Sequence, residues 1–294
     1  MADYEFITYE VLDDGRIARI MLDRDEARNA QNRGMLVELN EAFLRAEADD
    51  GVRVVVFGGH GSMFTSGHDM GSKVAMAEID SHPSWQRNGG TREGAERLML
   101  QEWHHFFDNT RRWRNLRKIT IAQVHGPVYA AGLMLAWACD LIVASDDAVF
   151  ADVVGARLGM CGVEYFGHPW EFGPRKAKEL LLTGDSISAE EAHQLGMVSK
   201  IFAADELGEK TLEFARRIAE RPTMSALLIK EAVNQSVDNM GFYNALNACF
   251  TLHELNHSHW AQIHDNKYPV ALESDGIPNW KDAPPVMPAR KDQP

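Results

Sequence analysis

The sequence predicts an α/β fold, and three observations carry that prediction. Apolar runs of strand length recur at residues 5–11, 16–21, 52–57, 119–124 and 140–144. Stretches of helical periodicity lie between several of them. The resulting strand–turn–helix rhythm repeats at irregular spacing, which implies an α/β core.

The elements follow in order. Residues 5–11 and 16–21 are two short strands, joined at the turn signal Asp13-Asp14-Gly15. Residues 35–46 form a helix, with Leu36, Leu39, Phe43 and Leu44 on one side. Residues 52–57 are apolar except for Arg53, so this strand is expected to be buried on both faces beyond that residue. From 72 to 94 the pattern breaks down. Ser81-His82-Pro83-Ser84 and Asn88-Gly89-Gly90 have loop composition, which predicts a mobile segment over a site. A helix is expected over 95–114, a strand over 119–124, a helix over 130–138 and a strand over 140–144. After residue 190 the chain turns helical, over 207–220, 224–239 and 242–263. The expected organisation is a core over 1–205, a helical region over 206–275, and an extended or disordered tail over 276–294, which holds five prolines.

Composition narrows the function classes. Hydrophobic residues make up 45% and charged residues 25% of the 294, a soluble globular balance. No apolar run reaches the roughly 18 residues of a membrane span. Residues 1–10 are acidic and lack the basic and apolar regions of a signal peptide, so a cytoplasmic location is expected. Cys139, Cys161 and Cys249 are scattered and form neither a disulfide framework nor a CxxC site. A net charge of −13 argues against nucleic acid and against anionic membranes as partners. An anionic ligand then needs a local basic patch. The run from Arg111 to Lys118 is one candidate, with a solvated helix face as the alternative.

Two segments stand out chemically. Ser66-Gly67-His68-Asp69-Met70 and His125-Gly126-Pro127-Val128-Tyr129-Ala130-Ala131-Gly132 each follow an apolar β-like run. Their small residues let backbone N–H groups approach a ligand, and two such segments can supply the converging donors of an oxyanion hole.

The chain resembles the crotonase superfamily of enoyl-CoA hydratases and isomerases from about residue 5 to 264. The resemblance rests on the order and spacing of several pieces. Asp23-Arg24 through Arg28-Asn29-Ala30 resembles the loop that lies against the CoA pantetheine. Phe64 to Met70 and Gly126 to Gly132 resemble the two oxyanion segments, and Ala138-Cys139-Asp140 follows the second. Gly173-Pro174-Arg175-Lys176-Ala177, Leu182-Thr183-Gly184-Asp185, Ala189-Glu190-Glu191-Ala192 and Leu195-Gly196-Met197-Val198 complete the pattern. The resemblance implies a spiral of ββα turns, a C-terminal helical region that packs in trimers or hexamers, and an acyl-CoA substrate. Coenzyme A enters as part of that substrate; no separate cofactor and no metal are implied.

By the same resemblance the oxyanion donors are the N–H groups of His68 and Ala131. Ala131 opens a helix, where N–H groups are free and the dipole favours negative charge. Substrate contacts are expected from Ala27, Arg28, Ser66, Gly67, Asp69, Met70, Ala130, Met134 and Val154, with Asp69 also a turn or helix-cap residue. The His68 imidazole departs from the commoner alanine; it either packs beneath the CoA or acts beside the thioester.

Hydration in this family uses two glutamates that share one water. Their positions fall here on Met134 and Val154, neither of which transfers protons. With Val153 they are expected to make the pocket floor apolar. Candidate substitutes are Asp152, Glu164, Tyr165 and His168. Glu164 is foremost, because some family members place a carboxylate on a short helix facing the acyl group; a surface or capping glutamate is the alternative. The expected function is therefore a crotonase-type lyase or isomerase with ordinary hydration in doubt. A hydrolase or decarboxylase of the same fold, or a non-catalytic acyl-CoA binder, are the alternatives. His253-Glu254-Leu255-Asn256-His257 matches the zinc motif HExxH, with His259 and His264 nearby. Its place in the C-terminal helical region is read as a subunit interface or solvated face.

Overall fold

The computed structural model describes residues 4–82 and 94–264. Six strands form the main sheet in the order β1 (Ile7–Leu12), β2 (Ile17–Leu22), β3 (Val54–Gly59), β4 (Ile119–Val124), β6 (Leu141–Ser145), β9 (Lys200–Phe202). The β1–β2 pair is an antiparallel hairpin around the predicted turn, where Asp13 and Asp14 adopt positive φ. All other neighbours in this sheet are parallel. A second sheet of β5 (Pro127–Tyr129), β7 (Val149–Ala151) and β8 (Ile187–Ser188) stands beside it.

Parallel strands are covered on both faces, and their side chains alternate between two cores. On β3, Val55 and Phe57 join the larger cluster with Leu36, Leu39 and Phe43 of α1 (Arg33–Ala48). Val54 and Val56 join the smaller one with Leu207, Ala215 and Ala219 of α10 (Leu207–Ala219). That first helix after residue 205 is thus packed directly on the sheet. Two longer helices follow, α11 (Thr223–Asn239) and α12 (Phe242–Ile263). Among the described residues no helix is long and apolar enough to cross a membrane.

Two expectations need correction. The first half of the predicted loop is a helix, α2 (Lys73–Ser81), capped where the Ser72 hydroxyl accepts from the Ala75 N–H. Its buried Glu78 accepts from the Arg33 and Gly34 N–H groups, satisfying free donors at the start of α1. A helix with exposed Val74 and Met76 shows no clean apolar stripe, which hid it in the sequence. Residues 83–93 of that segment, and the 276–294 tail, lie outside the described residues. The predicted helix over 95–114 is three pieces: α3 (Gly94–Glu102), a π-helical segment (Trp103–Asp108) and α4 (Asn109–Arg114).

The 111–118 basic run is committed to packing. Arg112 donates to Asn40, Arg114 pairs with Asp238, and the Lys118 ammonium donates to the Asp49 and Val52 carbonyls.

Candidate active site

The site begins with a buried asparagine. Asn29 donates to the carbonyls of His60, Met63 and Phe64 and accepts from the Arg24 N–H. This ties the 24–30 loop to the 60–64 loop and fixes where the chain leaves β3. The segment 65–69 then runs as an extended edge: the Gln31 N–H donates to the Gly67 carbonyl and the Asp69 N–H to the Gln31 carbonyl. Side by side with it runs the start of β5, where the Tyr129 N–H donates to the Thr65 carbonyl.

The two small-residue segments meet at Gly67 and Ala130. Gly67 has φ +97°, and a Cβ built there would stand 3.2 Å from the Ala131 nitrogen. Ala130 adopts φ 48°, a rarely populated conformation for a residue with a Cβ. That kink turns the chain from β5 into α5 (Ala131–Trp137), so Ala131 is the first helical residue and its N–H is free of the helix ladder. Along the 65–69 edge the Gln31 strand engages Gly67 and Asp69 and leaves the intervening His68 N–H facing the other way.

A cavity of about 750 Å³ opens in front of these segments. Ala27, Arg28, Ser66, His68, Asp69 and Met70 line one side, and Ala130, Val153, Val154, Arg157 and Glu164 the other. Gly67 and Ala131 sit just behind the wall. Met134 does not reach it: at 2% exposure it packs in the larger core, because α5 turns that side chain inward. The apolar part of the wall therefore holds Val153 and Val154, with Leu158, Met160 and Val163, but not Met134.

Glu164 lies on the cavity wall and is not a surface cap. Its Oε2 stands 3.3 Å from His68 Nε2, and the His68 ring stacks on Phe106 at 3.7 Å. Burial pushes the Glu164 carboxyl up, but the charges and hydrogen bond of His68, with His253 beyond, outweigh it and hold it below its usual value. The imidazole of His68 is thus turned to a carboxylate at the site, not merely packed.

The other proposed substitutes do not reach the cavity. Asp152 is fully buried and accepts from the Val154 and Val163 N–H groups and from His168 at 2.9 Å. Burial raises its carboxyl; the hydrogen bonds overcome that and hold it low. It ties the segment from Val154 to Glu164 together. Tyr165 is a core residue at 1% exposure.

HExxH is the expectation the structure overturns most clearly. His253 and His257 are buried, not solvated, and both line the cavity. Leu246, Phe250, His253, His257 and Trp260 form the buried stripe of α12, at the period of a helix. The histidines occupy core-facing positions of that stripe, a signal present in the sequence. The partner Glu102, at the end of α3, carried no motif. Its Oε2 lies 2.9 Å from His257 Nε2 and 3.3 Å from His253 Nε2. Burial raises the Glu102 carboxyl, and the two histidines bring it well below the carboxylate range.

The chain matches the family model of enoyl-CoA hydratase/isomerase over residues 13–265. Among curated proteins, EchA13 of Mycobacterium tuberculosis, an enoyl-CoA hydratase by name, is 63% identical over 99% of this chain and 93% of its own length. The 4-chlorobenzoyl coenzyme A dehalogenase-2 of an Arthrobacter species is 30% identical over 84% of this chain and 85% of its own. A crystal structure of a Mycobacterium smegmatis protein, likewise an enoyl-CoA hydratase by name, superposes with a TM-score of 0.78 at 41% identity, covering 88% of this chain and 97% of that one.

Proposed function

The chain belongs to the enoyl-CoA hydratase/isomerase family, of crotonase fold, and on that premise we propose that it transfers protons on a CoA thioester through Glu164 and His68. The observation that carries this reading is the 3.3 Å contact between Glu164 and His68 on the cavity wall, beside the free amide of His68 itself. The thioester oxygen accepts from the His68 and Ala131 N–H groups. Negative charge gathers on that oxygen as an enolate forms, and each donor is worth about 3–4 kcal/mol at that point. Glu164 serves as the base. In isomerisation it takes a proton from one carbon of the acyl chain and returns it to another. In hydration the pair takes one proton from water as its oxygen joins C3 and returns one to C2. Val153 and Val154 offer no proton-transfer group, so the carboxylate has moved from the usual floor to the opposite end of the Val154–Glu164 segment. Arg28 and Arg157 on the cavity wall supply positive charge for the CoA phosphates in a chain of net charge −13.

The test is mass spectrometry of 2-enoyl-, 3-oxo- and malonyl-type CoA thioesters after incubation in heavy water. The expected result is gain of water or uptake of deuterium on the acyl chain, reduced about 100-fold or more by Glu164→Gln. Carbon dioxide loss would identify a decarboxylase and free CoA a hydrolase. No change in any mass, with CoA still bound, would identify a non-catalytic binder.

Assembly as a trimer or hexamer belongs to the same proposal. Met224, Leu228, Ile229 and Val233 of α11 are each more than half exposed, an apolar face that a second copy would cover. Light scattering on the full chain reads the mass directly.

A further inference from the structure

We propose that Glu102, His253 and His257 form a binding site for a divalent transition metal of the zinc type in the wall of the CoA cavity. This does not depend on which reaction the cavity performs.

Three lone-pair donors converge on one point. His253 Nε2 and His257 Nε2 lie 3.0 Å apart, and Glu102 Oε2 lies 2.9 and 3.3 Å from them. Ligands held at about 2.0–2.1 Å in a tetrahedral zinc site are about 3.3 Å from one another, so the triangle needs to open by only a few tenths of an ångström. The donor set, two imidazoles and one carboxylate, is a familiar one for zinc that keeps a fourth position open. All three groups are buried, and they are the one cluster of this kind among the described residues.

The surroundings orient the donors as a metal requires. His253 Nδ1 stands 2.9 Å from the Gly162 carbonyl. A carbonyl only accepts, so Nδ1 carries a proton, and in the neutral ring Nε2 presents its lone pair to the cluster. Both Nε2 atoms also lie within hydrogen-bond distance of Glu102 Oε2, so a cation at their centre would replace protons shared with that carboxylate. The i, i+4 spacing on α12 places the two rings on one face. The third ligand comes from α3, immediately before the π-helical segment; wide turns of this kind recur at functional sites. The HExxH pattern therefore does here what its spacing allows, but completes its ligand set from an earlier helix.

The location gives the ion a role. His253 and His257 line the cavity, and Glu164 Oε1 is 3.9 Å from His253 Nε2. An ion with an open position there would bind a water or an acyl oxygen within reach of the Glu164 carboxylate. It would also set the distance between α3 and α12 behind the stretch of cavity wall that His253 and His257 form.

The experiment uses untagged full-length protein, stripped with chelator and titrated with Zn²⁺ and with Co²⁺. The expected result is one equivalent per chain, a visible absorption of tetrahedral intensity with Co²⁺, and a rise in Tm with Zn²⁺. Glu102→Gln and His257→Gln should each weaken binding more than tenfold, while His259→Gln, an exposed neighbour on the same helix, should leave it unchanged. If the cluster variants fail to fold, the wild-type Co²⁺ spectrum alone decides. Absence of tetrahedral Co²⁺ absorption, or binding that survives both cluster substitutions, overturns the proposal and leaves a hydrogen-bonded His–His–Glu cluster.

Discussion

Substitution of Asp69 by alanine should destabilise the protein by about 3 kcal/mol, the low end of what breaking a buried ion pair costs. The magnitude comes from what Asp69 holds. Its carboxylate accepts from Arg24 at 2.6 Å, from the Ser72 hydroxyl at 2.6 Å, from the Ser72 N–H at 2.8 Å and from the Gly71 N–H at 3.2 Å. Both charged side chains are only 4% exposed. Alanine would leave the buried guanidinium with only the exposed Glu26 carboxylate, at 3.8 Å, as counter-charge, although Arg24 keeps the Ala30 carbonyl, the Asn32 side-chain oxygen and the Ser72 hydroxyl as acceptors. Those remaining partners place the expected loss at the lower end. At roughly 2–4 °C per kcal/mol for a domain of this size, Tm should fall by about 6–12 °C. Thermal and urea unfolding followed by circular dichroism measure it. A double variant, Arg24→Met with Asp69→Leu, should recover much of the loss, because it removes the stranded charge. The dependence on pH has a definite sign. Burial raises the Asp69 carboxyl, but the bonds from Ser72, Arg24 and Gly71 outweigh it, so the folded value lies below the unfolded one. The stabilisation is therefore complete above the unfolded value of about 4 and disappears as pH falls through the lower folded value. The Tm gap between wild type and Asp69→Asn should be wide at pH 7 and close in acid. A loss below about 1 kcal/mol for Asp69→Ala at pH 7 would refute the reasoning that this pair fixes the 66–72 segment.

Three further outcomes follow from the site. Gly67→Ala places a Cβ 3.0 Å from the Tyr129 carbonyl oxygen at a φ of +97°, so it should part the His68 and Ala131 N–H groups proposed as oxyanion donors; kcat should fall about 100-fold with CoA affinity little changed, read by steady-state kinetics and calorimetry. Asp152→Ala leaves the Val154 and Val163 N–H groups and His168 without their acceptor, and urea unfolding should show a loss of about 3 kcal/mol. Arg157→Ala should weaken CoA binding several-fold at low salt, and the gap to wild type should narrow as ionic strength rises.

Most of the frame was legible in the residues. Val54 to Phe57 is buried on both faces, as its apolar run requires, and the three C-terminal helices begin and end within a residue or two of where the periodicity puts them. Local signals were enough there, because burial and helical period are written in consecutive residues. They were not enough for α2, whose reason to exist is the distant contact of Glu78 with the start of α1. Met134 shows the same limit from the other side: the motif spacing put it on the pocket floor, but the direction of its side chain depends on how α5 leaves the kink at Ala130.

The sequence alone determined the family, and it singled out the two small-residue segments, Met134 and Val154 at the positions where glutamates were expected, and Glu164 as the residue to watch. Tertiary structure decided what Glu164 faces, and it decided that His253 and His257 look inward at Glu102. The physical reason is separation along the chain. Glu164 is 96 residues from His68, and His253 is 151 residues from Glu102. Periodicity and motif spacing report on neighbours within a few turns, whereas a site built from four distant elements exists only once two hydrophobic cores have brought those elements together.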